Sequence, residues 1–374
     1  MLDEIAQIWW VPILLYALLV YGPMRAYQKH VSGLQRTKRS YLIFLCCFSI
    51  AAIYGVFVNQ GALPTFVWPM VLVGIANGVA SYYHWKSMDI SLVKNSMLTF
   101  GDDIIPMALS YFILNEAKYL LGNSWMISGI SFSVIALMLF AWHEYQRGEK
   151  MSFYIYLGIY SVLWGGVAFA EHYYSFKGLP LDQFLFSWYG SSFVTATLLL
   201  LFVKERDKKQ KYEHRKDVCW ATVYIAGSVL GLVLGMAIGF HLYGQIVDIS
   251  QNMFVLCFGA GGLYLGSLFI RTAYACFGNS YLNELGKQGQ LAKKDIVHMA
   301  IFALGILLSL RIAYWALSFP QVVAQPYFMA GEAIIPALMG IYYWKELEAK
   351  PFDKDEWAYV ALALLGLACI FIGY

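Results

Sequence analysis

The sequence predicts an all-α membrane protein with about twelve transmembrane helices, arranged as two inverted five-helix repeats plus an inserted helix pair. Composition is the first observation behind this prediction: of the 374 residues, 60% are hydrophobic and 13% are charged, which is about half the charged fraction of a soluble domain. The second observation is that the charges stand in short clusters between apolar runs of roughly 20 residues, the length that crosses a bilayer. The third is an internal repeat, described below.

Twelve apolar segments of suitable length follow one another along the chain. They are residues 5–22, 41–58, 65–84, 95–115, 124–143, 152–173, 184–203, 219–241, 252–274, 297–317, 322–345 and 357–373. The first segment follows Asp3 and Glu4 and precedes Arg25, which is the reverse of the charge order in a signal peptide. We therefore expect it to be a retained helix.

The distribution of basic residues predicts an orientation. With the N-terminus outside, the cytoplasmic loops and their borders hold 22 of the 26 Lys and Arg residues, and the opposite side holds Lys118 and Lys177. This positive-inside bias predicts that both termini are non-cytoplasmic, in a plasma membrane or a bacterial inner membrane. The longest basic cluster, Lys204 to Lys216, lies between two spans, so we expect it to face membrane lipids and not nucleic acid.

A short motif occurs twice, 230 residues apart. Residues 101–106 read GDDIIP and residues 331–336 read GEAIIP, and at the same offset Glu116 corresponds to Glu346. The two copies lie in the fourth and the eleventh span, which cross the membrane in opposite directions because their separation is odd. The predicted organisation is a first inverted repeat at 1–150, an inserted helix pair at 151–217 and a second inverted repeat at 218–374.

Each half ends with a polar helix that carries a proline, an acidic residue at the end of that helix, and a final apolar span. In this pattern, over residues 65–143 and 295–374, the chain resembles the drug/metabolite transporter superfamily, whose EamA-like members are two inverted five-helix halves. The resemblance implies a transporter fold with one extra helix pair, since the family usually has ten helices and cytoplasmic termini. It also implies that Glu116 and Glu346 cap or orient a helix end.

Acidic residues inside the predicted spans are the strongest candidates for a functional site, because a charge there costs about 2.5–3.5 kcal/mol to insert. They are Asp102, Asp103 and Glu332, and two of them stand four residues before the predicted helix kinks Pro106 and Pro336. Proline leaves the carbonyl four residues earlier without its helical partner. Two such kinked helices are expected to bring the acids together at a midplane site for a substrate or a coupling ion. The alternative is that the acids pair with arginines and only stabilise the bundle.

Two arginines and several aromatic residues complete the predicted substrate-binding and ion-binding set. Arg271 and Arg311 lie near the ends of their spans, so either side chain could instead extend to the interface. The aromatic members, whose faces suit an organic cation as well as a sugar or base ring, are Trp85, Trp315, Tyr314 and Tyr327. His84 and His298 are candidate proton relays, although solvated interfacial positions are the simpler expectation.

Four glycines spaced by four residues, at 227, 231, 235 and 239, line one face of the eighth span. Such a stripe lets another helix approach closely. The partner is either a neighbouring helix, for which Gly262 and Gly266 are suitable, or the same helix of a second copy. The sequence therefore allows a monomer or a homodimer.

The function predicted from these features is secondary active transport of a small polar or cationic metabolite by alternating access, with protons as a candidate coupling ion. A flippase for a lipid or a lipid-linked glycan is the main alternative, and a channel is another. A membrane-embedded enzyme is disfavoured because the sequence has no G-x-S-x-G, no H-E-x-x-H and no other zinc-ligand spacing. No cofactor and no metal are expected; the expected partners are the substrate, protons and membrane lipids.

Overall fold

The computed structural model describes residues 9–25, 27, 36–99, 101–203, 210–243, 251–277, 281–343 and 352–374. Within these ranges, only the backbone is described for residues 92, 210–221, 223–224, 254, 268–277 and 281–295. Throughout these residues the chain forms helices and turns and has no strand. The predicted all-α class is therefore confirmed.

Thirteen α-helices are found in the described part of the chain. In chain order, α1 to α13 are Trp10–Leu19, Arg36–Val58, Pro69–Met88, Leu92–Leu98, Gly101–Ile113, Ser124–Gln146, Met151–Phe176, Leu181–Phe202, Gln210–Tyr243, Gln251–Phe277, Tyr281–Ala316, Gln321–Leu338 and Lys354–Gly373. Two π-helical turns, Val20–Met24 and Met339–Tyr343, continue α1 and α12, and a 3-10 turn, Glu116–Tyr119, follows α5.

Eight helices in the described residues are long and apolar enough to cross a membrane, so the chain is a multi-pass helical membrane protein. They are Arg36–Val58, Ser124–Gln146, Met151–Phe176, Leu181–Phe202, Ile225–Tyr243, Ile296–Ala316, Gln321–Tyr343 and Lys354–Gly373. The other four predicted spans correspond to Trp10–Met24, which is a shorter apolar helix, to α3, to α4 with α5, and to α10. The prediction of one continuous helix over 95–115 is wrong, because α4 ends at Leu98 and α5 begins at Gly101.

The chain divides into two compact units. The first, here called the core unit, contains residues 1–36, 76–179 and 308–374, and the second contains residues 37–75 and 180–307. This division follows packing within the fold and does not coincide with the sequence boundaries at 150 and 217, whose status as repeat boundaries stays a prediction.

Helix α12 is the central element of the core unit, where it contacts α1, α4, α5, α6 and α13. Most of its side chains are buried around its whole circumference, as expected of a helix with apolar residues on all sides. Beside it, α6 and α13 pack antiparallel. The Asn123 side chain donates to the Gly373 carbonyl over 2.8 Å at one end, and a Cβ atom added to Gly129 would lie 2.7 Å from the Gly366 carbonyl oxygen further along.

In the second unit, the predicted glycine stripe packs against α10. A Cβ atom added to Gly231 would lie 2.3 Å from the carbonyl oxygen of Gly262, and one added to Gly262 would lie 2.0 Å from the carbonyl oxygen of Gly231. Only glycine allows backbones to approach this closely. The stripe therefore joins α9 to α10 within one chain, as the first of the two alternatives predicted.

Candidate functional site

The break between α4 and α5 places two acidic residues at the start of a helix. Two hydroxyl groups near the end of α4 bond to its backbone: Ser96 donates to the Val93 carbonyl over 2.9 Å and Thr99 to the Ser96 carbonyl over 3.0 Å. Bonds of this kind compete with continued helix formation. When α5 begins, Asp102 and Asp103 occupy its first turn and are both buried. The helix dipole favours negative charge at this end.

Glu332 on α12 meets these two acids. One oxygen atom from each of Asp102, Asp103 and Glu332 lies within 4.8 Å of the other two, and all three side chains are buried. We call these residues the carboxylate cluster. Pro106 and Pro336 lie inside α5 and α12 as expected, and the π-helical turn Met339–Tyr343 begins three residues after Pro336, where α12 ends. The structure therefore brings the three acids together, as the sequence predicted.

Helices α4 and α5 run antiparallel to α12. Ser110 contacts Gln321 near one end of the pair, while Val93 and Met97 pack in one cluster with Ala337 and Ile341 near the other. Between these contacts, Asp102 lies beside Glu332, and these two residues are related by the 230-residue offset. The crossing point of the two helices therefore coincides with the pair of acids that occupy equivalent positions in the repeated motif.

Arg25 supplies a positive charge to the cluster. It follows the π-helical turn Val20–Met24, which contains Pro23; such wide turns are frequent at functional sites. The Arg25 guanidinium is buried and forms an ion pair with the Glu332 carboxylate. The Tyr21 ring lies against the same guanidinium at 6.0 Å. The prediction that counted Arg25 as a cytoplasmic loop charge is wrong, because its ionic partner is an acid in the protein interior.

His84 extends this network on the side of Arg25. Arg25 Nη1 lies 2.6 Å from His84 Nε2, and the Asn95 amide nitrogen lies 3.2 Å from the same atom. Both partners are donors, so Nε2 accepts and the imidazole is the neutral Nδ1–H tautomer. The ring stacks on Tyr160 with centroids 4.3 Å apart. His84 is buried, which contradicts the expected solvated interfacial position.

A chain of hydrogen bonds reaches the cluster from the N-terminal part of α12. The Ser110 hydroxyl donates to the Gln321 side-chain carbonyl over 2.5 Å, and the Gln321 amide donates to the Gln325 carbonyl over 3.0 Å. The Gln325 amide in turn donates to Asp103 Oδ1. Each donor in this polar chain points toward the Asp103 carboxylate.

Asp102 differs from its neighbours, because neither of its oxygens has a hydrogen-bond partner among the described residues, and its side chain is fully buried. Its polar neighbour on α7 is the Tyr160 hydroxyl, which is the donor group next to this carboxyl. An ionised carboxylate buried without donors is strongly unfavourable. Among the described residues, Asp103 Oδ2 is also unpartnered, but Asp102 is the member of the cluster with no hydrogen-bond donor on either oxygen.

The charges of the cluster do not balance if all acids are ionised. Three carboxylates face one guanidinium, so a proton or another cation is needed, since like charges this close cannot all remain ionised in the interior. In the described residues a second acid group, His143, Asp353 and Glu356, has comparable spacing. In that group Asp353 and Glu356 form the capping box of α13. An arginine pairs with one acid of each group, Arg25 with Glu332 and Arg147 with Glu356.

Glu116 caps a helix, but that helix is α12 and not the end of its own span, which is where the resemblance implied a capping role. Its carboxylate accepts hydrogen bonds from the backbone N–H groups of Gln321 and Val322, each at 3.0 Å, and so caps the N-terminus of α12. His172 Nε2 lies 2.8 Å from the same carboxylate, and His172 Nδ1 lies 2.8 Å from the Leu317 carbonyl. All of these groups are buried. Its predicted counterpart Glu346 lies outside the described residues.

The remaining predicted site residues lie elsewhere. Trp85 is buried beside His84. Tyr327 packs against Trp9 and donates to the Leu367 carbonyl over 2.9 Å, which joins α12 to α13. Tyr314 donates to the Leu179 carbonyl over 2.6 Å, which joins α11 to the loop between α7 and α8. Arg311 and Trp315 are exposed on α11 and do not join the cluster, which corrects their assignment. The side chain of Arg271 lies outside the described residues.

The sequence contained signals for some of the residues that were missed. Gln321 and Gln325 are two amides four residues apart within an apolar span, a spacing that places both on one helix face. Polar residues at such depth are functional candidates by default. Arg25 had a weaker signal, its position two residues after Pro23. Nothing local distinguishes Tyr160 from the many other tyrosines of the chain.

Comparison with known proteins yields a shared fold only. No family model matches the chain, and no curated protein matches it. A solved structure described as "Crystal structure of protein" is similar at a TM-score of 0.50 and 10% sequence identity, over 99% of this chain and 98% of the other. At that identity the likeness concerns the fold and carries no assignment of function. The resemblance to the drug/metabolite transporter superfamily stays a prediction.

Proposed function

We propose that this protein is a secondary active transporter that moves a small polar or cationic metabolite by alternating access, with the carboxylate cluster as its binding site and protons as coupling ions. The single observation that carries the proposal is the meeting of Asp102, Asp103 and Glu332 in the interior of a membrane protein. Buried acids at this depth mark substrate or ion pathways. A purely structural role for the cluster does not explain why Asp102 is buried with no hydrogen-bond partner on either oxygen among the described residues.

The arrangement of the helices supports an inverted-repeat transporter. Helices α5 and α12, which carry the repeated motif, cross antiparallel at the two acids of equivalent position, and α6 and α13, the next pair, also pack antiparallel. Inverted repeats related by an axis in the membrane plane give this geometry, and such transporters bind substrate at broken helices near the repeat interface. The twelve-span topology, the outside termini and the plasma or bacterial inner membrane belong to the same proposal.

The test begins with a thermal-shift screen of the purified protein. Amines, nucleosides, sugars, phosphorylated metabolites and lipid headgroups are added in turn, because a ligand that binds only the folded state raises its apparent stability. Compounds that stabilise the protein are then assayed for uptake into proteoliposomes under an imposed proton gradient. We expect one chemical class of solute to stabilise the protein and to be accumulated.

Glu332→Gln is the variant for both assays and Glu171→Gln is its matched control, since Glu171 is a buried acid of the core unit outside the cluster. Loss of both stabilisation and uptake in Glu332→Gln, with both retained in Glu171→Gln, is the expected result. Stabilisation by lipid headgroups or lipid-linked sugars alone, unaffected by Glu332→Gln, would refute solute transport and favour a flippase. A conductance proportional to the driving force would instead identify a channel.

A further inference from the structure

The three carboxylates of the cluster differ in the donors that reach them. Glu332 faces the Arg25 guanidinium, which has N–H donors and no acceptor. The oxygen of Glu332 in this pair therefore accepts, and the ion pair is a carboxylate with a guanidinium. Arg25 is held in this orientation by His84, whose Nε2 accepts from the other side of the guanidinium at 2.6 Å.

Asp103 is also reached by a donor, and the direction of that bond is fixed by its neighbours. The Gln325 carbonyl already accepts from Gln321, and the Gln321 carbonyl accepts from the Ser110 hydroxyl. The Gln325 amide nitrogen is thus the group that faces Asp103 Oδ1. An amide nitrogen only donates, so Asp103 Oδ1 accepts a hydrogen bond, while Asp103 Oδ2 has no partner among the described residues. Asp103 thus has a donor on one oxygen, whereas Asp102 has a donor on neither.

Asp102 is the acid without a donor. Both of its oxygens are buried and unpartnered within the described residues. The charged and titratable groups that face it are Glu332 from α12, Asp103 from α5, Tyr160 from α7 and Arg25 from the segment after α1. Two of these four carry negative charge, and the guanidinium is paired with Glu332. The neutral acid is the form of Asp102 that this environment accommodates.

We propose that Asp102 is the proton-binding residue of the carboxylate cluster and that its proton is the coupling ion. The second clause rests on the proposed function; the first does not. In the protonated form, the Asp102 O–H has oxygens of Asp103 and Glu332 within 4.8 Å, and a side-chain adjustment brings one of them to hydrogen-bond distance. Release of the proton to solvent leaves a carboxylate, for which the neighbouring Tyr160 hydroxyl is the available donor. The two acids at equivalent positions of the repeated motif thus have different roles: Glu332 forms the ion pair with Arg25, and Asp102 binds and releases the proton.

The experiment is infrared spectroscopy of the purified protein in lipid nanodiscs near neutral pH, where a protonated carboxyl group and a carboxylate absorb at different frequencies. Wild type is compared with Asp102→Asn, Asp103→Asn and Glu171→Gln. We expect Asp102→Asn to lose one protonated-carboxyl band that persists in Asp103→Asn. Glu171→Gln is the control for the removal of any protonated acid, because Glu171 is a different buried acid with an unpartnered oxygen. We expect the band that is lost in Asp102→Asn to persist in the spectrum of Glu171→Gln.

Two outcomes would overturn the assignment. If Asp102→Asn retains the full set of protonated-carboxyl bands, or if the band disappears in Asp103→Asn instead, the proton is on another residue. Failure of Asp102→Asn to fold while Asp103→Asn folds also contradicts it, because asparagine is a close isostere of a neutral acid. The spectrum needs no solute, so a correct band in a protein that transports nothing would refute the proposed function and leave the proton assignment standing.

Discussion

Two regions along α12 contain buried ionisable groups, and they differ in how completely those groups are satisfied. At the N-terminus of the helix, Glu116 accepts two backbone N–H groups and faces His172. About three turns further on, Glu332 shares one guanidinium with two other acids, and Asp102 has no hydrogen-bond partner among the described residues. We call the first region, in which the Glu116 carboxylate has hydrogen-bond partners, the closed network, and the second, in which Asp102 has none among the described residues, the open network.

The difference separates a structural role from a functional one. A fully satisfied buried network rigidifies the protein, whereas an unsatisfied group is costly and persists where it has a task. Glu116 and Asp102 are both acids at depth in the core unit and both were visible in the sequence. Their partners in the fold, and not their residue type, distinguish the acid that holds a helix end from the acid that we propose exchanges a proton.

The largest effect is expected at the closed network. Glu116→Ala removes the cap of α12 and leaves three buried polar groups without their partner, the N–H groups of Gln321 and Val322 and His172 Nε2, at about 1–3 kcal/mol each. The expected total is a loss of roughly 4–6 kcal/mol in the free energy of unfolding, measured in mixed micelles with denaturant. A loss below about 1 kcal/mol would mean that this network is not structural.

The Arg25–Glu332 pair is expected to show the next largest effect. Arg25→Gln and Glu332→Gln should each lower the free energy of unfolding by about 3–5 kcal/mol, because each leaves one buried charge unpaired. The double variant should lose less than the sum of the two. A double-mutant cycle on the partly exposed pair Arg36–Asp89 is the comparison, with a coupling of at most about 1 kcal/mol. Additive losses at Arg25 and Glu332 would contradict the ion pair.

An intermediate effect is expected in the polar chain that joins the two regions. Gln325→Leu leaves Asp103 without its donor and Gln321 without its acceptor. The expected loss in the free energy of unfolding is about 1–3 kcal/mol, the cost of an unsatisfied buried polar group. A neutral or stabilising result would show that the chain does not connect to Asp103.

Asp102→Asn should change stability little despite the complete burial of the residue. Since the acid has no partner to lose among the described residues, the free energy of unfolding should stay within about 1 kcal/mol of wild type, while proton-driven uptake is abolished. The same denaturation and uptake assays measure both. A loss as large as that of Glu116→Ala would make the two regions alike and would remove the basis of the comparison.

The smallest effect is expected at a pair outside the spans. Lys94 Nζ donates to Glu149 over 2.6 Å, and this bond lowers the pKa of the Glu149 carboxyl from its ordinary value of 4.5. A lowered acid pKa stabilises the fold above pH 4.5, and the contribution disappears as the pH falls through the lowered value. The difference in melting temperature between wild type and Lys94→Met should therefore be small at pH 7 and absent in strong acid. A difference that grows on acidification would contradict the pairing.

Local signals in the sequence were sufficient for the acids of the cluster. The motif at 101–106 and 331–336 identified Asp102 and Glu332 as equivalent, and the prolines after them indicated helices that deviate from regular geometry. Intramembrane charge is rare enough for three acids in apolar segments to stand out. The convergence of the three acids was therefore a correct prediction, although α4 and α5 were expected to form one helix.

Other members of the site could not be read from a hydropathy window. Arg25 lies among other basic residues at the end of an apolar run, and a window average assigns all of them to one loop. His84 lies near the end of a predicted span, where a solvated position was the simpler expectation. Arg311 and Trp315 had the right residue types for a site but face outward from α11. The direction in which a side chain faces, and the partner that it contacts, depend on how the helices pack together.

The sequence by itself determined that the chain is helical and crosses a membrane, because apolar length and the scarcity of charge are local properties that depend on no partner. It also determined which acids stand at repeated positions before a proline. Only the tertiary structure decided that Arg25 forms an ion pair with Glu332, that Gln325 donates a hydrogen bond to Asp103, and that Asp102 has no donor among the described residues. The physical reason is that desolvation and hydrogen bonding act between segments up to 307 residues apart in the chain, a distance that no local pattern records.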